Sequence, residues 1–399
     1  MYRIDLSALK KKKNKTQTIS GFKKGPVVAA LKKSLIAGDV ARSIQWTVEL
    51  HMSLYIPEIW KVFLFVMSKH IHRENPLLPV YMFRQHQAYM QQLAITEPMN
   101  NQQCRNRVAE VASVLALSSC RPLTKIKFNK EKFGLMEQCK KYTLAPNIEF
   151  SDMVWRDTDC IDLKIPLNEF MYQLCKQDHT TDTQERCLFW LYWFFNWAKL
   201  ESKKTRSKKS KNKKLCPTNS CARRINKFTD TEWVTDYIWM LWSACFHACK
   251  QSSDTNKKII IQNLFRLFCH NYKTSKRVSK QIFLVHAVII VLDTVPRLSF
   301  TKQIFTQYSI VLQSMLNINA LYKNTYETAR TYKLSSQHSE SCVTNTQNIK
   351  QNIKQNIPRP HPYFDTYMNN NLFLDSRYNG IQPKKEIGLL GHLDKFFGW

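Results

Sequence analysis

Lys10, Lys11, Lys12 and Lys13 stand in one run, with Lys15 just beyond it. A second run gathers Lys203, Lys204, Arg206, Lys208, Lys209, Lys211, Lys213 and Lys214. A cationic side chain beside a phosphate releases a condensed counterion, so such runs suit one task above others, the binding of a polyanion. Residues 1–33 hold ten basic residues and one acidic, a surplus of +9, and residues 199–227 hold twelve and one, a surplus of +11. These two short segments therefore carry +20 of the chain's +30. A nuclear-import signal or a solubilising tail has the same composition, and these readings coexist with nucleic-acid binding.

A second pattern lies in LGHLDKFFGW at 390–399. Leu393, Phe396 and Phe397 keep the spacing of the clamp-interacting peptide called the PIP box, in which one aliphatic and two aromatic side chains project from a single 3₁₀ turn into a pocket. Leu390 stands where that peptide has glutamine. The alternative is a terminal helix docking Leu389, Leu393 and Phe397 on its own domain.

Other candidate chemistry is thinner. Asp152, Asp157, Asp159 and Asp162 cluster, as divalent-metal ligands do, but no second acidic or His-containing motif completes a site. Turn and cap roles explain them more simply. Cys216 and Cys221 would need Cys245, His247 and Cys249 to hold zinc, and that spacing is not a zinc motif. Residues 123–141 interleave Phe128 and Phe133 with lysines, which suits either base stacking or an amphipathic element with solvated lysines. No phosphate-binding GxxxxGK[ST] loop occurs, and no spacing suggests a nucleophile–base pair, so no enzyme activity and no cofactor are expected.

The elements that must position these groups read as helices. Leu31, Leu35 and Ile36 keep helical spacing, Gly38 stops that helix and Asp39 caps the next. Val40, Ile44 and Val48 recur every four residues. Pro57 opens a third helix with Trp60, Phe63, Leu64, Met67 and Ile71 on its apolar face. In CLFWLYWFFNWAKL at 187–200, Leu188, Leu191, Tyr192 and Phe195 share one face and Phe189, Trp193 and Trp197 another. A helix apolar all round belongs in a core or an oligomer interface. Lying on an anionic membrane is the alternative. Thr229 and Glu232 read as a capping box, with Phe228 and Trp233 as its staple. QIFLVHAVIIVLD at 281–293 is another helix, with His286 as a hydrogen-bonded core residue. Only 8 glycines in 399 residues disfavour a Gly-rich cofactor fold. No run of 18 apolar residues appears, so no membrane span is expected. The basic start lacks an apolar h-region, and the twelve cysteines then suggest reduced thiols inside a cell.

The stretch K-S-L-x-x-G-D-x-x-x-S-I-x-W-x-x-E-L is formed by Lys33, Ser34, Gly38, Asp39, Ser43, Trp46, Glu49 and Leu50, and is followed by Trp60 and Lys61. With Phe283–Val288 and the Pro362, Tyr363, Asp365 element, it resembles the C-terminal helical domain of RarA/MgsA-type AAA+ ATPases, relatives of clamp loaders. The chain looks more like the stand-alone form of phages and large DNA viruses, without the ATPase, than like the full-length enzymes. The resemblance implies an all-α, collar-like domain that acts at replication forks and self-associates.

The resulting expectation is an all-α chain. A basic flexible arm occupies 1–20, and a collar-like domain occupies 21–330, interrupted by a flexible basic insertion at 199–228. A mostly disordered linker at 331–383 carries a short docking element at 359–368, and a clamp-binding-like tail occupies 384–399. The expected function is non-enzymatic: a DNA-binding accessory factor of replication or late transcription, in a nucleus or at a viral replication site. Its expected partners are DNA or another nucleic acid, a sliding clamp and a second copy of the chain, with no membrane. The alternative is an oligomerising scaffold that binds nucleic acid non-specifically.

Overall fold

The computed structural model describes residues 16–93, 97–123, 139–176, 180–207, 222–224, 233–252, 254–270, 272, 276–293, 304 and 307–342. The fold is all-α, as expected. Among the described residues extended structure is limited to a short ladder, β1 (Ala222–Arg224) antiparallel to β2 (Trp233–Thr235), with Ala222 opposite Thr235, and an isolated bridge between Gln17 and Lys23. Two compact units form. One draws on Met1–Met67, Arg84–Cys120 and Ser299–Trp399, the other on Ser68–Phe83 and Arg121–Leu298.

In the first unit α1 (Lys24–Ala37), α2 (Val40–Met52) and α3 (Ile56–Val66) follow in quick succession. Their breaks have local causes. Gly38 takes φ +76, the left-handed conformation that closes a helix, and its N–H reaches back to Leu35 and Ser34. The Asp39 carboxylate accepts the Arg42 N–H at 2.9 Å and starts α2. Pro57 sits in the first turn of α3, where its missing N–H leaves nothing unpaired. The residues of α4 (Leu78–Leu93) from Arg84 on, α5 (Gln102–Leu117), and later α11 (Tyr308–Leu316) and α12 (Ile318–Cys342) complete this unit. Val27, Leu31, Leu35, Ile44, Val48, Phe63, Val111 and Leu115 form its dry centre. Between α1 and α2 the Ser43 hydroxyl donates to that of Ser34 at 3.1 Å, so two small polar residues meet where the helices approach.

The second unit holds α6 (Lys164–Cys175), α7 (Thr181–Ser207), α8 (Tyr237–Gln251), α9 (Thr255–Cys269) and α10 (Arg277–Leu292). The aromatic segment of α7 is buried in this unit's core, with Trp190, Leu191 and Phe194 at 1% exposure or less. His286 is fully buried, its Nδ1 3.4 Å from the Ser68 hydroxyl, which is the core role expected of it.

Three boundaries differ from the sequence reading. α7 continues to Ser207, through the first residues of the expected flexible insertion. A helix nucleated on a buried aromatic face extends cheaply into Lys, Glu and Arg, which are good helix formers. α12 likewise runs to Cys342, into the segment expected to be linker. The expected Thr229–Glu232 capping box lies outside the described residues, Trp233 just beyond it is in strand Trp233–Thr235, and α8 begins only at Tyr237. Its cap is Asp236, whose carboxylate accepts the Ile238 N–H at 3.2 Å.

Candidate nucleic-acid interface

The N-terminal segment before α1 lies on α2 and α3 through a set of directed bonds. Glu49, 4% exposed on α2, accepts the Ser20 N–H at 3.2 Å and the Ser20 hydroxyl at 2.9 Å. The Ser53 hydroxyl accepts the Ile19 N–H at 2.8 Å, and the Tyr55 hydroxyl donates to the Gln17 carbonyl at 2.7 Å. The Lys24 N–H closes the segment on the Thr16 carbonyl at 2.8 Å. Burial pushes the Glu49 carboxyl up from its ordinary value, while the Ser20 donors oppose that shift. Gly21 turns the segment at φ +83 with the Tyr332 ring of α12 directly over it. No ordinary side chain fits there. The basic run Lys10–Lys13 precedes this anchor in the chain and lies outside the described residues.

From the anchor, α1 and α3 run side by side in the same direction. At their N-terminal ends the Lys24 ammonium pairs with Glu58 at 2.9 Å and stands 5.1 Å over the Tyr55 ring. Glu58 holds that ammonium's pKa up. Further along, the Lys32 ammonium stands 4.2 Å over the Phe65 ring. Lys61 falls between Glu58 and Phe65 on the same stripe of α3 and is exposed, as are Lys23 and Lys33. The two helices and the α1 cap thus carry five lysines against one carboxylate, Glu58. No acidic residue stands in the first turn of α1, and Lys23 offers no side-chain cap.

Of the second basic run, Lys203 is exposed near the end of α7, and Lys204 and Arg206 lie within that helix's span. Lys208, Lys209, Lys211, Lys213 and Lys214 lie outside the described residues, as do Leu390, Leu393, Phe396 and Phe397. The basic segment with Phe128 and Phe133 lies outside them too.

The alternative chemistries find local structural explanations. Asp159 accepts the Arg156 N–H at 3.0 Å in a turn, and Asp152 pairs with Lys164 at 3.6 Å. Cys245 and Cys249 are buried thiols whose pKa values burial raises, that of Cys249 to about 12. Such thiols stay protonated and unreactive at neutral pH. Among the described residues no three His, Cys, Asp or Glu side chains converge on a point where a metal would sit. No helix among them is long and apolar enough to cross a membrane.

The sequence reading did not assign the α1–α3 lysine seam. Lys24 and Lys32 share a face at i, i+8, which was a legible signal. Their partnership with Lys61 depends on the pairing of α1 with α3, which no local spacing reveals. Glu49 entered the reading only as part of a motif. No protein-family model, curated protein or solved structure matches this chain.

Proposed function

We propose that this protein is a non-enzymatic DNA-binding accessory factor of replication or late transcription, held to a sliding clamp by its C-terminal PIP-like peptide. The observation that carries this reading is the concentration of charge. Two thirds of the net charge sits in two short segments, and the first of them contains a built anchor at Thr16–Lys24. The resemblance of residues 33–61 and 283–288 to the ATPase-free, clamp-loader-related helical domain supports the replication setting. Leu393, Phe396 and Phe397, with Leu390 at the glutamine position, supply the hook. A weak peptide contact joined to a weak electrostatic one raises avidity without further contacts.

The test has two arms. Titration of the full chain with duplex DNA at 50 and 200 mM salt should show affinity falling by about 10³-fold or more, as expected for six or more phosphate contacts. A shallow slope would count against DNA binding. In parallel, the sliding clamp of the same genetic system is titrated with the full chain and with its Phe396→Ala/Phe397→Ala variant. Saturable binding lost in the variant supports the hook, and equal binding removes it.

One observation favours the second reading, an oligomerising scaffold. Tyr308, Leu312 and Leu316 form an i, i+4, i+8 stripe on α11 and are 52%, 40% and 70% exposed. If that reading holds, deleting residues 390–399 leaves partner choice unchanged, while Leu312→Glu/Leu316→Glu alters the mass measured by light scattering.

A further inference from the structure

We propose that a cavity in the second unit binds a small zwitterion of the α-amino-acid class, with its carboxylate on Arg73 and its ammonium on Asp293. This inference does not depend on the nucleic-acid reading.

The cavity has a volume of about 170 Å³ and lies within that unit where three elements meet. Arg73 comes from the short turn His72–Glu74, Thr180, Thr181 and Gln184 from the start of α7, and Ile289 and Asp293 from the end of α10.

Its two charges are opposite and unjoined. Arg73 and Asp293 line the same space, yet among the described residues neither has an ion-pair partner. Arg73 Nη1 donates to Gln184 Oε1 over a long 3.4 Å, and Arg73 Nε is buried with no partner. A buried guanidinium N–H left open is costly, and a carboxylate offers the pair of acceptors that the guanidinium fork fits. The neighbouring charges are engaged elsewhere. Asp182 pairs with Arg186 at 3.8 Å and Glu74 with Arg121 at 3.5 Å. Lys257 donates to the Val291 carbonyl at 3.0 Å and meets the charge of Asp293 only at a distance.

The helix ends reinforce this polarity. The start of α7, where the Thr180 hydroxyl accepts the Thr183 N–H at 3.3 Å, carries a partial positive charge. The end of α10, where Asp293 sits, carries a partial negative one. A phosphate dianion would be repelled by Asp293, and a simple amine by Arg73. A molecule with both charges satisfies both sides.

Size narrows the class. The volume equals that of about six waters in the liquid and falls short of the roughly 300–1,000 Å³ of drug-sized pockets. That admits an amino acid with a small side chain, resting on the buried Ile289. The turn that presents Arg73 is firmly held. His72 takes φ +30, is 1% exposed, and donates through Nε2 to the Arg121 carbonyl. Strained backbone of this kind persists only where its surroundings hold it, and it clusters at ligand clamps.

The experiment is calorimetric titration of the full chain with glycine, L-alanine and L-serine. Propionate and ethylamine, which are alanine without its ammonium and without its carboxylate, serve as controls. Arg73→Gln and Asp293→Asn are titrated alongside, with circular dichroism and melting to confirm that each folds. The expected result is saturable one-to-one binding of an amino acid, about tenfold or more tighter for alanine than for either control. Arg73→Gln should weaken both alanine and propionate. Asp293→Asn should weaken alanine and leave propionate unchanged, a crossover that a general loss of structure does not produce. Propionate binding as tightly as alanine overturns the zwitterion and leaves an anion pocket. No saturable binding of the three amino acids, or binding unchanged in both variants, overturns the site.

Discussion

Lys257 and Lys280 cap each other's helices. The Lys257 ammonium, near the start of α9, donates to the Val291 carbonyl at the end of α10 at 3.0 Å. The Lys280 ammonium, near the start of α10, donates to the Leu267 and His270 carbonyls at the end of α9 at 3.0 and 2.9 Å. Each antiparallel helix so supplies the cation that the other's negative C-terminus lacks. Burial lowers both ammonium pKa values, that of Lys280 to about 8.

The sign of the resulting pH dependence is fixed. Between pH 8 and 10.5 the unfolded chain keeps the Lys280 proton and the folded chain gives it up. Stability must then rise with pH relative to a variant without the amine. Denaturation midpoints for the full chain and Lys280→Met should diverge in favour of the full chain between pH 8 and 10. Parallel curves would mean that Lys280 is solvated as an ordinary lysine.

A second titration has the same sign in the acid range. His51, fully buried on α2, lies between two tyrosine hydroxyls, with Nε2 2.7 Å from Tyr89 and Nδ1 2.7 Å from Tyr322. A neutral imidazole satisfies both, donating to one and accepting from the other. Burial, aided by the charge of Arg105, drives its pKa to about 3. The unfolded histidine protonates below about 6.5 and the folded one does not, so stability present above that pH is lost on acidification. At pH 5 the loss is about 2 kcal/mol relative to its value at neutral pH. His51→Gln should flatten this part of the urea-midpoint profile, and Tyr322→Phe should cost about 1–3 kcal/mol at pH 7 by leaving an imidazole nitrogen unpaired. His286 and His72, with pKa values lowered to about 3 and 4, give the second unit the same acid sensitivity.

The anchor of the basic arm has its own test at Gly21. An alanine there must hold φ +83 and would also run into the Tyr332 ring. The backbone term alone is about 1–2 kcal/mol. Gly21→Ala should therefore speed tryptic cleavage at Lys23 and Lys24 and weaken DNA binding, with the folded core of the unit kept. Adding Tyr332→Ala removes the steric part and should recover some protection. Unchanged cleavage in Gly21→Ala would show that the anchor tolerates strain.

How much of this was legible depended on how local each cause is. Gly38, Asp39 and Pro57 act through their own neighbours, and the breaks among α1, α2 and α3 followed from them. The aromatic run in α7 announced its burial by composition alone. The lysine seam was hidden because its meaning lies between α1 and α3. Glu49 was hidden for a related reason, since its partner Ser20 is 29 residues away. The start of α8 was misplaced because Asp236, and not the Thr229 that the sequence reading chose, caps it, and the choice between them is tertiary.

That choice can be tested. Asp236, 1% exposed, pairs with Arg277 at 3.1 Å and accepts the Tyr272 hydroxyl at 3.0 Å, besides capping α8. Arg277 is itself 12% exposed at its side chain and lies over the Tyr237 ring. Removing one partner of such a pair leaves a buried charge unpaired, at about 3–5 kcal/mol. Asp236→Ala should therefore destabilise the second unit by that amount. Thr229→Ala and Glu232→Ala, which delete the sequence's more obvious capping box, should each change stability by less than about 0.5 kcal/mol. Asp236→Ala combined with Arg277→Met should recover part of the loss, because the stranded guanidinium goes with its partner. Equal destabilisation by Thr229→Ala and Asp236→Ala would return the start of α8 to the capping box and detach Arg277 from that helix.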